Sequence, residues 1–424
     1  MKNLAGLIVF LLIIAFLFRI DFVFYIIYVC VGLYAWSYWG IPRRLKKIKL
    51  SRQFQDHAFW GEPLDVNIKV ENSSALNIPW LEISDSVAIQ LSAARPINAV
   101  IPLKGKEKVE YTYPLQTTRR GYYRIGPTQI RSGDMFGFTD PIAYLLPASH
   151  LTIYPKITPI ERLKIASRLP FGTIISNQRL FEDPARPTGV RDFRSGDSMR
   201  QVNWKVSAHT QNLAVKTLQP AIYLESMVVL NLFGDDYTRW TRISTIEWAI
   251  ELAASLAAHL HNKRQPVGLA SNGIDPLQTS NTEESADVEF DPHSGRLLTQ
   301  SETDTQSLYS LPPNNSRAHL MKVLERLARI EPAGVAPFNG WLKTNNLSLG
   351  WGGTALIITP TADAELCQTL HHWVRRGINP VLIQVEKSSN FVHVKERARR
   401  LGFTAVEVVD PASIDQAFGT GMGK

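Results

Sequence analysis

The stretch Met227-Val228-Val229-Leu230-Asn231-Leu232-Phe233-Gly234-Asp235 decides the fold of the larger part of this chain. Four apolar residues between polar neighbours have the pattern of a buried parallel strand. Downstream, Ile243, Ile246, Ala249, Ile250, Ala253 and Leu256 recur at helical spacing, which predicts an amphipathic helix from Thr241 to Lys263. Val267-Gly268-Leu269-Ala270 then repeats the strand pattern. The alternation continues with a helix over 315–330, strands at 355–358, 381–385 and 405–409, and helices near 362–376 and 391–401. Alternating strand and helix predicts a doubly wound, mostly parallel α/β domain over 221–424. Residues 279–310, rich in Ser, Thr, Asp and Glu, read as an exposed acidic polar insertion in it.

Upstream the period shortens to two. Leu64-Asp65-Val66-Asn67-Ile68-Lys69-Val70-Glu71 alternates apolar and polar, and Trp80–Ile83 and Lys108–Tyr113 read as further strands. Short strands separated by Pro, Gly, Asn and Ser turns predict an antiparallel β-sandwich over 53–155. Arg119-Arg120-Gly121-Tyr122-Tyr123-Arg124-Ile125-Gly126-Pro127, followed by Gly133-Asp134-Met135-Phe136-Gly137, reads as short strands punctuated by glycine and joined in a hairpin.

The first 41 residues contain two apolar runs, Leu4–Phe18 and Phe22–Ile41, parted by Arg19 and Asp21. Runs of this kind predict an N-terminal transmembrane helical hairpin over 1–41. Arg43, Arg44, Lys46, Lys47, Lys49 and Arg52 follow in a basic juxtamembrane neck, 42–52. Positive charge beside a span end stays in the cytoplasm, so the expected protein is a two-pass inner (plasma) membrane protein with a cytoplasmic body. Such a neck also attracts anionic lipid headgroups.

The chain has 424 residues, 45% hydrophobic and 20% charged, with two cysteines and a formal net charge of +8. Two cysteines exclude a disulfide scaffold. Six of the basic residues sit in the neck, so the body is nearly neutral and a nucleic-acid partner is not expected.

Between the two domains, 156–220 contains Gly189-Val190-Arg191-Asp192-Phe193-Arg194-Ser195-Gly196-Asp197-Ser198-Met199-Arg200-Gln201-Val202-Asn203-Trp204-Lys205. Alternating charges predict a self-neutralising network in which Arg191, Arg194 and Arg200 pair with Asp192 and Asp197. This signature, with Gly189, Arg191, Asp192, Gly196, Asp197, Arg200, Asn203, Trp204 and Lys205 in order, resembles that of the domain of unknown function 58 family. Arg120-Gly121-Tyr122 and the turn up to Gly137 resemble the family's upstream pattern, and His209 stands where the family usually carries Arg. The resemblance implies a membrane-anchored protein with a β domain and a von Willebrand factor type A-like C-terminal domain. It further implies a MoxR-type AAA+ ATPase, or other membrane-complex proteins, as partners.

In type A domains an Asp-x-Ser-x-Ser turn after the first strand holds a divalent cation. The matching positions here are Asn231, Phe233 and Asp235. An amide and a phenyl ring cannot supply the oxygen ligands a hard cation needs, so neither a metal nor another cofactor is expected. No phosphate-binding glycine loop or nucleophile elbow occurs, and no catalytic residue is assigned. The expected function is a membrane-tethered, non-enzymatic scaffold or adaptor. The alternatives are an enzyme acting on an anionic substrate at the Arg/Asp/Trp/Lys signature, or a lipid-binding cell-envelope component.

Overall fold

The structure is a computed structural model that describes residues 9, 10, 13, 21–91, 98–133, 142–160, 182–194, 197–220, 225–279, 309–332 and 337–419, apart from 346, 348 and 351. It divides into two compact units, 1–155 with 276–301, and 156–275 with 302–424.

The first unit begins with helix α1, Asp21–Leu45. Among the described residues no helix is long and apolar enough to cross a membrane. This corrects the transmembrane hairpin expected over 1–41. Within the helix, Tyr25, Tyr28 and Trp36 mix polar atoms into the apolar run, and Asp21, Arg43 and Arg44 charge its ends. The other expected span, Leu4–Phe18, lies outside the described residues except for helical Val9, Phe10 and Ile13.

Two β-sheets follow. One has the order β1-β3-β6, with β1 Ile48–Gln53, β3 Leu64–Asn72 and β6 Lys108–Leu115 all antiparallel. The other has the order β2-β9-β7-β4-β5, from β2 His57–Ala58, β4 Ile78–Val87, β5 Asn98–Leu103, β7 Gly121–Ser132 and β9 Ser149–Ile153, with β8 Ile142–Leu146 also on β7. Strict alternation on β3 sends Leu64, Val66, Ile68 and Val70 inward, where they share one apolar cluster with Leu81, Ile83, Tyr123, Ile125, Leu151 and Ile153 of the second sheet. The expected pair of short strands around Gly126 is instead one strand, β7. Its first half pairs with β9 and its second with β8, the change falling at Gly126-Pro127, while β4 lies along both halves.

Arg52 also departs from expectation. Its side chain is buried on β1, where it donates to Asp85, Thr128, Ser149 and the Pro147 carbonyl. It is a structural cation of the β unit and is lost from the neck. Gly126 is required beside it: φ is +94°, and a Cβ there would stand 2.3 Å from an Arg52 guanidinium nitrogen.

The second unit opens with an antiparallel ribbon of β10 Glu182–Asp192 and β11 Ala214–Pro220, which flank helix α2 Trp204–Thr210. A six-stranded sheet follows in the order β14-β13-β12-β15-β16-β17. Its strands are β12 Ser226–Leu230, β13 Val267–Ser271, β14 Tyr309–Asn314, β15 Thr354–Thr359, β16 Asn379–Gln384 and β17 Thr404–Glu407. All neighbours are parallel except the β13–β14 pair. Helices α3 Arg242–Asn262, α4 Arg317–Arg329, α5 Phe338–Thr344, α6 Ala364–Arg375 and α7 Phe391–Leu401 connect them, and α8 Pro411–Gly419 follows the last strand. Every residue of β12, β13 and β15 is buried, as strands covered on both faces must be. The edge strand β14 carries Pro312 and Pro313, residues tolerated at a sheet edge. It also takes Tyr309 and Ser310 out of the expected insertion, whose residues 280–308 lie outside the described ones.

Candidate functional site

The sheet order reverses direction between β12 and β15, which run out to opposite sides. In an open α/β sheet the crevice beyond the carboxyl ends at such a point is where ligands bind. The residues there are the first polar ones after each apolar strand: Asn231 after β12, Asn272 after β13, and Thr359 and Gln384 closing β15 and β16. Asn231 pairs backbone to backbone with Ile358, and Thr359 is in register with Gln384, so these side chains form one rung.

Asn231 is fully buried and its hydrogen-bonding capacity is spent. Its Oδ1 accepts from the backbone N–H of Phe233 at 2.9 Å, which fixes the orientation of the amide because a backbone N–H can only donate. Its Nδ2 therefore points the other way, donating to Asp236 at 2.8 Å and to the Thr359 hydroxyl at 3.1 Å. Tyr237 donates its hydroxyl to the Asn231 carbonyl at 2.6 Å. The position that a type A turn would fill with a carboxylate thus holds an amide whose N–H groups are donated within the protein. Of the other two turn positions, Phe233 brings a phenyl ring and Asp235 points to solvent, 3.2 Å from Arg242.

Around the rung, Asp236 is half-buried and its carboxyl is raised, first by burial and then by the charges of Asp363 and Asp235, against the lowering effect of Asn231. Glu386 accepts from both the backbone and the hydroxyl of Thr238 and so ties the β12 and β16 loops together. Just beyond, at the start of α3, Trp240 is 97% and Ile243 70% exposed. Sequence reading singled out Asn231, Phe233, Asp235 and Asp236 but passed over Thr238, Thr359, Gln384, Glu386 and Trp240. The available signal was the polar residue that closes each apolar run.

The signature segment forms a separate, largely self-contained motif. Arg191 clamps Asp197 with two charge-assisted bonds of 2.6 and 2.7 Å, and the Arg194 backbone N–H adds a third at 2.8 Å. These bonds, Arg191's first, pull the Asp197 carboxyl down to about 2. Asn203 caps α2 through Val206, and Ser207 locks the helix onto β11 by accepting from the Ala214 N–H. Arg191 is thus joined to Asp197. Asp192, Gly189, Trp204 and Lys205 are exposed, and Arg200 lies in the turn 199–201. Gly196 lies outside the described residues. In the neck, Arg43, Lys46, Lys47 and Lys49 are exposed, and Arg44 lies within α1.

Residues 189–286 match the family model described as protein of unknown function DUF58. The chain is 22% identical over 347 residues to the uncharacterized protein YeaD of Bacillus subtilis (strain 168), across 78% of this chain and 81% of that one. Both findings support the DUF58 family. Among solved structures, the CARDB domain of the PF1109 protein from Pyrococcus furiosus is 14% identical, with a TM-score of 0.19, and covers 25% of this chain and 91% of its own. Native alpha-2-macroglobulin from Escherichia coli, from domain MG7 to the C-terminus, is 10% identical with a TM-score of 0.21, across 30% of this chain and 21% of that one. Scores this low carry no argument about fold.

Proposed function

We propose that this chain is a non-enzymatic adaptor whose docking face is the rim at the carboxyl ends of the α/β sheet. The observation that carries the reading is the buried Asn231 amide. It is fully buried at the carboxyl end of β12 with both N–H groups donated, while Trp240 and Ile243 at the start of α3 are exposed. Exposed tryptophan is the residue type that most often anchors a protein interface. The strand order, with one antiparallel edge strand, supports a type A-like reading of this unit. An AAA+ ATPase is the partner that the sequence resemblance implies. The test is affinity capture from native extract with the full chain as bait. The reading expects an AAA+ ATPase to be recovered by the parent and lost with Trp240→Ala and Ile243→Ser. Recovery that is absent, or unchanged by both substitutions, overturns it.

A second reading, contact with anionic lipid headgroups, draws support from the exposed Arg43, Lys46, Lys47 and Lys49 about two turns beyond the exposed Trp36 of α1. Arg52 takes no part in it. Vesicle flotation separates this reading from the first: it requires binding to phosphatidylglycerol vesicles that neutralising those four residues abolishes.

A further inference from the structure

We infer that the paired helices α6 and α7 form a basic face that lies against the phosphate plane of an anionic bilayer. It is separate from the neck, which belongs to the other unit, and from the Trp240 rim of the adaptor reading.

The face begins in the sequence. In α7, Phe391-Val392-His393-Val394-Lys395-Glu396-Arg397-Ala398-Arg399-Arg400-Leu401, only Val394 and Ala398 are buried, four residues apart and so on one side of the helix. The positions left to solvent carry Lys395, Arg397, Arg399 and Arg400 against one acid, Glu396. Helix α6 closes on Arg375 and its cap residue Arg376, both exposed. Leu366, Cys367, Leu370 and Trp373 of α6 join Val394 and Ala398 of α7 in one apolar cluster. Arg397 lies against Cys367, and one turn on in each helix His371 donates through Nδ1 to the Leu401 carbonyl at 2.9 Å. Equal steps in the same direction make the two helices parallel neighbours. Arg375 and Arg376 follow His371, and Arg399 and Arg400 precede Leu401, so the cations gather at one end of the pair.

These charges are not met within the protein. Among the described residues, Arg375, Arg376, Lys395, Arg397 and Arg399 have no ion pair, and Arg400 has only Glu396, 4.0 Å away between side chains 82% and 62% exposed. Nearby acids are committed elsewhere: Glu365 pairs with Lys343, Asp363 caps α6 through the Leu366 N–H, and Glu386 accepts from Thr238. Helix carboxyl ends attract cations, but each carries only about half an elementary negative charge, so two ends offset about one of the six.

The character of the face selects its ligand. A protein partner needs a desolvated apolar centre, and the one exposed large apolar side chain on these helices is Val392. A single nucleic-acid strand needs rings to stack on, and no Phe, Tyr or Trp of the pair is exposed. A headgroup plane needs neither, and about four to eight basic residues on an amphipathic helix suffice for anionic-lipid contact.

The test is flotation of the full chain with vesicles of mixed phosphatidylglycerol and phosphatidylcholine, against phosphatidylcholine alone, with binding to a short DNA duplex measured in parallel. Arg376→Gln, Lys395→Gln and Arg399→Gln are combined, since all three side chains are exposed; an unchanged urea midpoint confirms that the fold is kept. The expected result is phosphatidylglycerol-dependent binding that weakens with salt. In the triple variant it should fall about fivefold per cation removed, about a hundredfold in all. Absence of that dependence, or its full retention by the triple variant, overturns the inference. So does a triple variant that loses duplex DNA binding and keeps its vesicle binding, which would assign the face to nucleic acid. Neutralising Arg43, Lys46, Lys47 and Lys49 tests the neck alone, so either site can fail while the other stands.

Discussion

Arg52 and Asp85 meet across the two sheets of the N-terminal unit, 3.2 Å apart, with side chains only 1% and 0% exposed. Arg52 comes from β1 of one sheet and Asp85 from β4 of the other. Tyr113, on the same sheet as Arg52, also donates to Asp85, at 2.7 Å. Burial is the first cause raising the Tyr113 phenol, and the Asp85 carboxylate adds to it. Removing one member of such a pair strands a charge away from water and typically costs about 3–5 kcal/mol. Arg52→Ala is therefore expected to destabilise the protein by that order in urea unfolding. A cost under about 1 kcal/mol, the worth of a surface pair, would show that the guanidinium is solvated after all.

Gly126 answers to the same guanidinium. An alanine there would hold a left-handed backbone and press its Cβ on Arg52. Strain of this type costs about 1–3 kcal/mol. Gly126→Ala should lower the urea midpoint, and in Arg52→Ala the same change should cost less, because the clash is gone. Strictly additive losses in the double variant would refute the contact.

Asp197 should titrate far below an ordinary aspartate. Its folded carboxyl lies at about 2 against an ordinary 3.8, because Arg191 and the Arg194 N–H hold the charged form. A depressed acid contributes stability that is fully present above its unfolded value, and that contribution is lost as pH falls from about 3.8 through about 2. Carboxyl carbon NMR should place the midpoint near the lower figure, and Arg191→Ala should return it towards the upper one. An unmoved midpoint in the variant would assign the shift to another cause.

The sequence pattern tracked what the backbone must satisfy. Apolar runs at 227–230, 267–270 and 355–358 lie within buried strands because a strand covered on both faces has no polar positions to spare. The Arg191–Asp197 clamp was legible because the two residues are close in sequence, with charges that must be settled locally. Arg52 was not. Its partners lie 33 to 97 positions away, and beside five other basic residues it looked like one more surface charge. The rung of Asn231, Thr359 and Gln384 stayed hidden because its members become neighbours only through parallel register.

Asn231→Asp tests how far that rung depends on an amide. The substitution removes the donors to Asp236 and Thr359 and sets a carboxylate beside a carboxyl that burial already holds above its ordinary value. An acid raised in the folded state binds its proton more tightly there, so stability falls as pH rises from the unfolded value through the folded one. With two such acids in contact the fall steepens. Asn231→Asp should therefore cost about 1–3 kcal/mol or more at neutral pH, from the lost bonds alone, and recover part of that between pH 7 and pH 4. Asn231→Ala, which brings no charge, should show no comparable recovery. Matching pH profiles for the two variants would mean that Asn231 and Asp236 are not coupled as the 2.8 Å bond requires.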